Sequence, residues 1–247
     1  MIDARGSAHL ESVSGRVLFL SLLLILGMSR PGEGRMKAEE YDRLLGTIES
    51  QREELAAELA ASEGRARDAV LGKAKRVAER IIIDDLLPAW LGTPWDFYGA
   101  CERPTEGAIA CGHFVAVILA HGGFRVERPR LGMQASEHII KTMVGEDRIQ
   151  RHRLKTGSAV AAATRERGDG VYIVGLDFHA GFLVVEGEEV RFCHASFRRP
   201  NRVVCEDPAT AEAFVSDYRV VGKLMDRRMT SRWLAGEAFP TVGGVAK

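Results

Sequence analysis

The chain has 247 residues, with 34 Lys+Arg balanced by 34 Asp+Glu and a hydrophobic share of 46%. That composition excludes a disordered chain, a collagen-like repeat and a small disulfide-stapled scaffold. A formal charge of zero gives no global field for nucleic acid, and no apolar run reaches the roughly 18–20 residues of a membrane span.

The first predicted element concerns address. Val17 to Gly27 is uncharged, follows Arg16 directly, and falls within the about 7–15 residues of a secretory h-region. Gly27 and Ser29 are small, which suits cleavage after Ser29, and Ser-Arg-Pro-Gly-Glu-Gly reads as a break. Residues 1–29 are therefore expected to be a signal peptide, and the protein to be exported, periplasmic or extracellular.

Residues 30–80 are expected to form a helical extension. From Met36 to Arg80 the chain is rich in Ala, Glu, Leu and Arg and lacks Pro, and these are strong helix formers. Leu44, Leu45, Ile48, Leu55, Leu59 and Val70 recur at a loose helical period. An a/d repeat is not sustained, so the expectation is one or two solvated helices leaning on the main domain rather than a coiled coil.

The main domain is expected over residues 81–247. Ile81 to Trp90 continues as helix until Gly92-Thr93-Pro94 ends it. Residues 95–109 read as a loop, and an apolar helix runs from Cys111 to Ala120, stopped by Gly122-Gly123. Further helices are predicted near 132–144 and 157–166. Strands follow at Val171–Val174, His179–Glu186, Glu189–Ser196 and Tyr218–Leu224. Helices first and strands afterwards predict an α+β fold with a mostly antiparallel sheet. The basic clusters Arg148–Lys155, Arg198–Arg202 and Arg227–Arg232 read as solvated faces that could also attract carboxylate-rich polymers.

Cys111 stands at the start of the apolar helix, where unpaired N–H groups and the helix dipole favour a thiolate. A cysteine nucleophile needs a base within hydrogen-bonding reach. His113 faces away around the helix, His121 lies ten residues along it, His138 falls in another helix, His152 in an Arg-rich loop and His9 in the leader. His179 and His194 remain. A two-residue type II′ turn over Gly187-Glu188 pairs Glu186 with Glu189, Leu183 with Phe192 and Gly181 with His194. Alternation then puts His179 and His194 on one face and Cys193 on the other, and Gly181 is expected to leave open space beside both rings.

The blocks G-T-P-W-D-F-Y-G, A-C-G-H-F-V, H-A-G-F-L and C-H-A-S resemble the successive motifs of NlpC-type peptidases, papain-like bacterial cysteine enzymes of which many cut peptide bonds in cell-wall peptidoglycan. The resemblance runs from about Leu91 to Ser196. It implies a papain-like fold with a buried nucleophile-bearing helix, Cys111 as nucleophile, His179 as base and His194 as the residue that orients it. It also implies Trp95, in place of the family's Tyr, as a donor to the oxyanion, with Tyr98 as an alternative and the Cys111 N–H as the second donor. Ala110 stands where the family has Asp, and Gly112-His113 where it has Ser-Gly. The implied function is a thiol hydrolase of amide or peptide bonds, with no cofactor or metal, acting on a peptide or amide substrate such as cell-wall peptidoglycan. Two alternatives stand beside it: a non-catalytic binding module on a degenerate peptidase fold, and an acyltransferase or amidase acting on a non-wall amide. A zinc site from Cys111, Cys193, His179 and His194 has the ligand types but lacks the usual spacings.

Overall fold

The Ala- and Glu-rich stretch folds as two helices, α1 (Ala38–Ala60) and α2 (Gly64–Arg80). In this computed structural model, residues 36–243 are described, and they belong to one compact unit. The Val17–Gly27 run, the cleavage position after Ser29 and His9 lie outside the described residues. The apolar residues that set the helical period do face inward: Ile48, Leu55, Leu59 and Val70 are buried in the same core as the rest of the domain. The chain continues through a π-helical turn, Ile81–Leu86, into the short α3 (Leu87–Trp90).

Polar contacts tie α1 to the domain where burial alone would leave its orientation loose. Trp90 Nε1 donates to the Tyr41 hydroxyl at 2.7 Å, and that hydroxyl sits 2.8 Å from His121 Nδ1. An indole N–H only donates, so the hydroxyl accepts from Trp90 and passes its own proton toward His121. Arg52 adds hydrogen bonds to the carbonyls of Trp233 and Leu234. Glu49 pairs with Arg125 at 2.7 Å.

α4 (Cys111–His121) ends at Gly122 and Gly123, as the glycine pair predicts. The remaining elements, in chain order, are β1 (Arg125–Val126), α5 (Arg128–Gly132), α6 (Ser136–Met143), β2 (Ile149–Arg153), α7 (Gly157–Arg165), β3 (Gly170–Leu176), β4 (Ala180–Glu186) and β5 (Glu189–Ala195). β6 (Val203–Glu206), β7 (Tyr218–Lys223), α8 (Arg227–Ala235) and β8 (Ala238–Phe239) complete the order. Six strands form one sheet in the order β2-β7-β3-β4-β5-β6, every ladder antiparallel. The fold is α+β. β1 and β8 make a separate parallel pair.

One sheet face, with Val171, Ile173, Phe182, Val184 and Cys193, packs into the core that holds α4 and α1. The other, with Tyr172, Val174, Leu183, Val185 and Phe192, packs against Val160 of α7 and Phe214. Among the described residues no helix is long and apolar enough to cross a membrane.

Two of the basic clusters are solvated faces carried on regular elements. Residues 149–153 are edge strand β2, so His152 stands on a strand and not in a loop. Residues 227–235 are α8, whose Asp226 side chain accepts from the Met229 N–H and whose Gly236 closes the C-terminus at φ 62°. β6, the other edge, is a strand in a stretch the sequence pattern leaves unassigned.

Replacing Tyr41 by Phe removes the hydroxyl that serves both buried partners. The Trp90 N–H and His121 Nδ1 lose their mate, a loss of about 1–3 kcal/mol. Urea denaturation of Tyr41→Phe should show that drop; a change of only a few tenths would mean the network adds nothing.

Candidate active site

The β4–β5 hairpin sets the site. Its ladder pairs Glu186 with Glu189, Leu183 with Phe192 and Phe182 with Cys193, which puts Gly181 opposite His194. Gly187 takes φ 59° and Glu188 keeps a negative φ, as a type II′ turn requires. His179 is the last residue before the ladder. Its Nε2 lies 2.7 Å from Nδ1 of His194, with the rings nearly perpendicular at 86°.

The space beside Gly181 is filled, not open. A Cβ there would meet the Cys193 carbonyl oxygen, the His194 Cβ and a Phe192 ring carbon, each at 2.8 Å. The missing side chain lets Phe192 and His194 close onto β4, where their rings stack 4.0 Å apart. Glycine at 181 thus seats His194 and leaves no pocket.

The sequence gives no sign of the third partner, Glu206. Residue 206 is opposite Phe192 across the β5–β6 ladder, so its side chain shares a face with His194 and reaches it diagonally. Oε1 of Glu206 lies 2.9 Å from His194 Nε2. On the opposite face, Cys193 and Cys205 pair in a disulfide, which leaves Cys111 and Cys101 as free thiols among the described residues. With its sulfur bonded to Cys205, Cys193 is unavailable as a zinc ligand. Glu206 also lines a surface cleft of about 500 Å³ between α7 and the β5–β6 edge, so the outer end of this chain is open to water.

These contacts fix the tautomers. An ionised carboxylate only accepts, so His194 carries its proton on Nε2 and presents a lone pair on Nδ1. His179 then donates from Nε2, and its Nδ1 holds a free lone pair. That Nδ1 is buried and has no hydrogen-bond partner. An unpartnered acceptor on an otherwise fully engaged ring is the form a general base takes before substrate arrives.

Cys111 opens α4 after Ala110 in extended conformation. The backbone N–H of Ala180, next to His179, points at the thiol, as do those of Gly112 and Cys111 itself. The Ala180 contact brings the thiol to the start of β4, one residue after His179 in the chain, and no hydrogen bond joins Sγ to the His179 ring. A Cβ on Gly112 would lie 2.3 Å from the Gly132 carbonyl oxygen, so the close approach of α5 accounts for glycine after the cysteine. His113 packs beside Gly132, away from the thiol.

Burial outweighs the helix terminus in setting charge. It pushes the Cys111 thiol up, and the three N–H groups only partly offset this. Burial also lowers His179 to about 3, and lowers His194 to about 2 with help from the neighbouring ring. The resting pair is a neutral thiol and a neutral imidazole, not the thiolate expected from the helix start. The helix dipole acts over its first turn at modest strength, while desolvation acts on the whole charge.

Trp95 is half-buried and packs on Phe197 at 6.3 Å, and Phe197 in turn packs on His179 at 5.1 Å. Tyr98 points outward, its ring edge-on to Phe97 at 5.0 Å. Of the two aromatic donors expected for an oxyanion, Trp95 is the one linked, through Phe197, to His179. No family model, no curated protein and no solved structure matches this chain.

Two pH effects follow. His121 is held down at about 4 by burial, and with His179 and His194 it refuses protons that the unfolded chain binds near 6.5. The unfolded state then binds more protons, so stability rises with pH across that window. Urea midpoints should be flat above about pH 7 and fall from about 6.5 downward, above the range where carboxylates titrate. Midpoints flat down to pH 5 would contradict the buried neutral histidines.

Burial and Glu212 raise Glu206 above the usual carboxylate range. Once protonated, Glu206 donates to His194 Nε2, both tautomers reverse, and His179 Nδ1 carries a proton instead of a lone pair. Activity should therefore fall as pH drops through the Glu206 titration. Glu206→Gln should lose about 10–100-fold in kcat/KM, the worth of one charge-assisted hydrogen bond, and lose that acid limb. A variant with wild-type rates and an unchanged profile would remove Glu206 from the chain.

Proposed function

We propose that the protein is a papain-like thiol hydrolase that cleaves an amide or peptide bond, with peptides of cell-wall peptidoglycan as its substrate class. The observation that carries this reading is the buried chain Glu206–His194–His179, whose last ring keeps an unpartnered Nδ1 while the backbone N–H of the next residue, Ala180, reaches the Cys111 thiol. His113 Nδ1 and His152 Nε2 are also buried without a partner, so what sets His179 apart is the hydrogen-bonded chain to His194 and Glu206 behind its ring. The order of motifs around Trp95, Cys111, His179 and His194, similar to that of NlpC-type peptidases, supports the substrate class. The Cys193–Cys205 disulfide supports export, since such bonds persist in oxidising compartments.

The chemistry begins from the neutral pair. As Cys111 sulfur forms its bond to the substrate carbonyl carbon, the thiol proton passes to His179 Nδ1. His194 accepts from His179 Nε2 and spreads the new positive charge toward Glu206. The carbonyl oxygen takes the negative charge and is held by the Cys111 N–H at the helix start, with the Trp95 indole N–H as second donor, each worth roughly 3–4 kcal/mol. The tetrahedral intermediate collapses, the carbon–nitrogen bond breaks, and His179 returns the proton to the leaving amine. Water, deprotonated by the same Nδ1, then attacks the thioester and releases Cys111.

Incubation of wild type and Cys111→Ala with purified peptidoglycan fragments and a panel of N-acyl amides, read by mass spectrometry, tests this. Products should appear with wild type and vanish in Cys111→Ala, while the fold and substrate binding remain. His194→Ala should keep residual turnover, because it orients the base and transfers no proton to substrate. Products from neither set that depend on Cys111 would replace the enzyme by a binding module.

A further inference from the structure

We propose that the loops around the Cys111–His179 end of the molecule form a docking surface for an anionic lipid bilayer. The five most exposed large apolar side chains of the described residues are Phe178 (95%), Tyr98 (87%), Leu154 (81%), Val215 (81%) and Phe97 (70%). All five stand on loops that border the candidate site, and hydrogen bonds and ring contacts join those loops in sequence. Trp95 N–H donates to the Asn201 carbonyl, linking the Phe97–Tyr98 loop to residues 197–202. Phe197 packs on His179, next to Phe178. Asp177 Oδ2 accepts from the Ser216 hydroxyl and from the Asp217 and Tyr218 N–H groups, which brings Val215 beside that turn. Leu154 N–H donates to the Asp217 carbonyl at 2.8 Å.

Leu154 has no structural reason to be there. It sits at φ 51°, a left-handed conformation that asparagine or glycine adopts easily and a leucine adopts at a penalty. Its side chain packs on nothing, so the residue type serves something outside the fold.

Charge selects the occupant. The same loops carry Arg153, Lys155, Arg198, Arg199 and Arg202, all exposed and without a carboxylate partner among the described residues. Against them stand Asp96, Asp177 and Asp217, with Asp207 and Glu212 further back on the segment that carries Val215. Asp96 is engaged by the Tyr98 N–H and Asp177 by Ser216 and its neighbours. Arg153 stacks on Tyr218 and Arg198 on Phe197, which leaves their charge uncompensated, and aromatic and aliphatic tips among such cations match the boundary between acyl chains and anionic headgroups. A glycan strand would use aromatic faces but has no use for a bare leucine and valine. The surface does not rest on Cys111 chemistry. It would hold the thiol and base facing the membrane, where an amide borne on an amphiphile or on a polymer at the bilayer could enter.

Full-length protein should be sedimented with vesicles of phosphatidylcholine alone or mixed equally with phosphatidylglycerol, at low and high salt. Binding should favour the phosphatidylglycerol vesicles and weaken with salt. Leu154→Asn with Phe178→Ser should bind about tenfold or more weakly, and Leu154→Asn alone should keep or raise stability, since it relieves the left-handed leucine. Arg198→Gln with Arg199→Gln should reduce the preference for phosphatidylglycerol. Cys111→Ala should bind like wild type, so failure of the hydrolase reading and failure of this one are separable. Variants that bind as tightly as wild type would assign binding to the Val17–Gly27 segment and overturn the proposal. Binding only to purified peptidoglycan, or self-association abolished by Leu154→Asn, would overturn it in favour of a glycan or of a second copy.

Discussion

The register of the β4–β5 hairpin is the constraint on which the site depends, because a side-chain period of two makes every neighbour contingent on it. With Leu183 opposite Phe192, His194 falls opposite Gly181 and on the same face as His179. The same register turns Cys193 to the other face, where Cys205 meets it. A slip of one residue would bury Glu189, send His194 into the α4 side of the core and separate the two sulfurs. Gly187 at φ 59° holds the turn at the length that prevents such a slip. Burial of both faces enforces it, since Phe182 and Val184 belong to one core and Leu183 and Val185 to the other.

Burial explains both the order and the electrostatics of the site. A thiolate and an imidazolium side by side would each need solvent or strong partners, and desolvation moves Cys111 and His179 in opposite directions away from that pair. What remains is a proton donor and a proton acceptor, each neutral, with the acceptor's tautomer decided two hydrogen bonds away at a half-exposed carboxylate. In the hydrolase proposed above, charge would arise only as the carbon–sulfur bond forms, where low water access strengthens its stabilisation.

Much of this was legible in the residues, and the gaps have physical causes. The α4 helix announced itself by an unbroken apolar run from Phe114 to Leu119 closed by two glycines, and the hairpin by its turn and alternation. The two edge strands were missed because edges carry charge: Ile149–Arg153 alternates weakly and is half basic, as edge strands that avoid aggregation tend to be. Glu206 was missed with its strand, for nothing local ties a carboxylate to a histidine twelve residues earlier. The thiolate expected at the helix start failed because helix dipoles are local and readable, whereas desolvation depends on what the tertiary fold packs around the sulfur. The room expected beside Gly181 failed for the same reason, since Phe192 occupies it only after the strands pair.

β6 shows how the fold protects the weakest member of the site. It is four residues long and lies at the sheet edge, where on its outer side only Val203, through Gly92 and Thr93, makes backbone hydrogen bonds, the kind of element that opens early in local unfolding. Yet it carries Glu206, which decides the tautomers of both histidines. The Cys193–Cys205 bond crosses from β5 to β6 at the residues just before His194 and Glu206 in their strands. Fraying of β6 would then have to carry a covalent link with it, so the carboxylate stays in register with the ring it serves. A further backbone hydrogen bond, from the Ser196 N–H to the Arg202 carbonyl, closes the other end of the β5–β6 loop. The edge strand is thus held at both ends while its outer side stays open to water, which lets Glu206 respond to solvent pH without leaving His194.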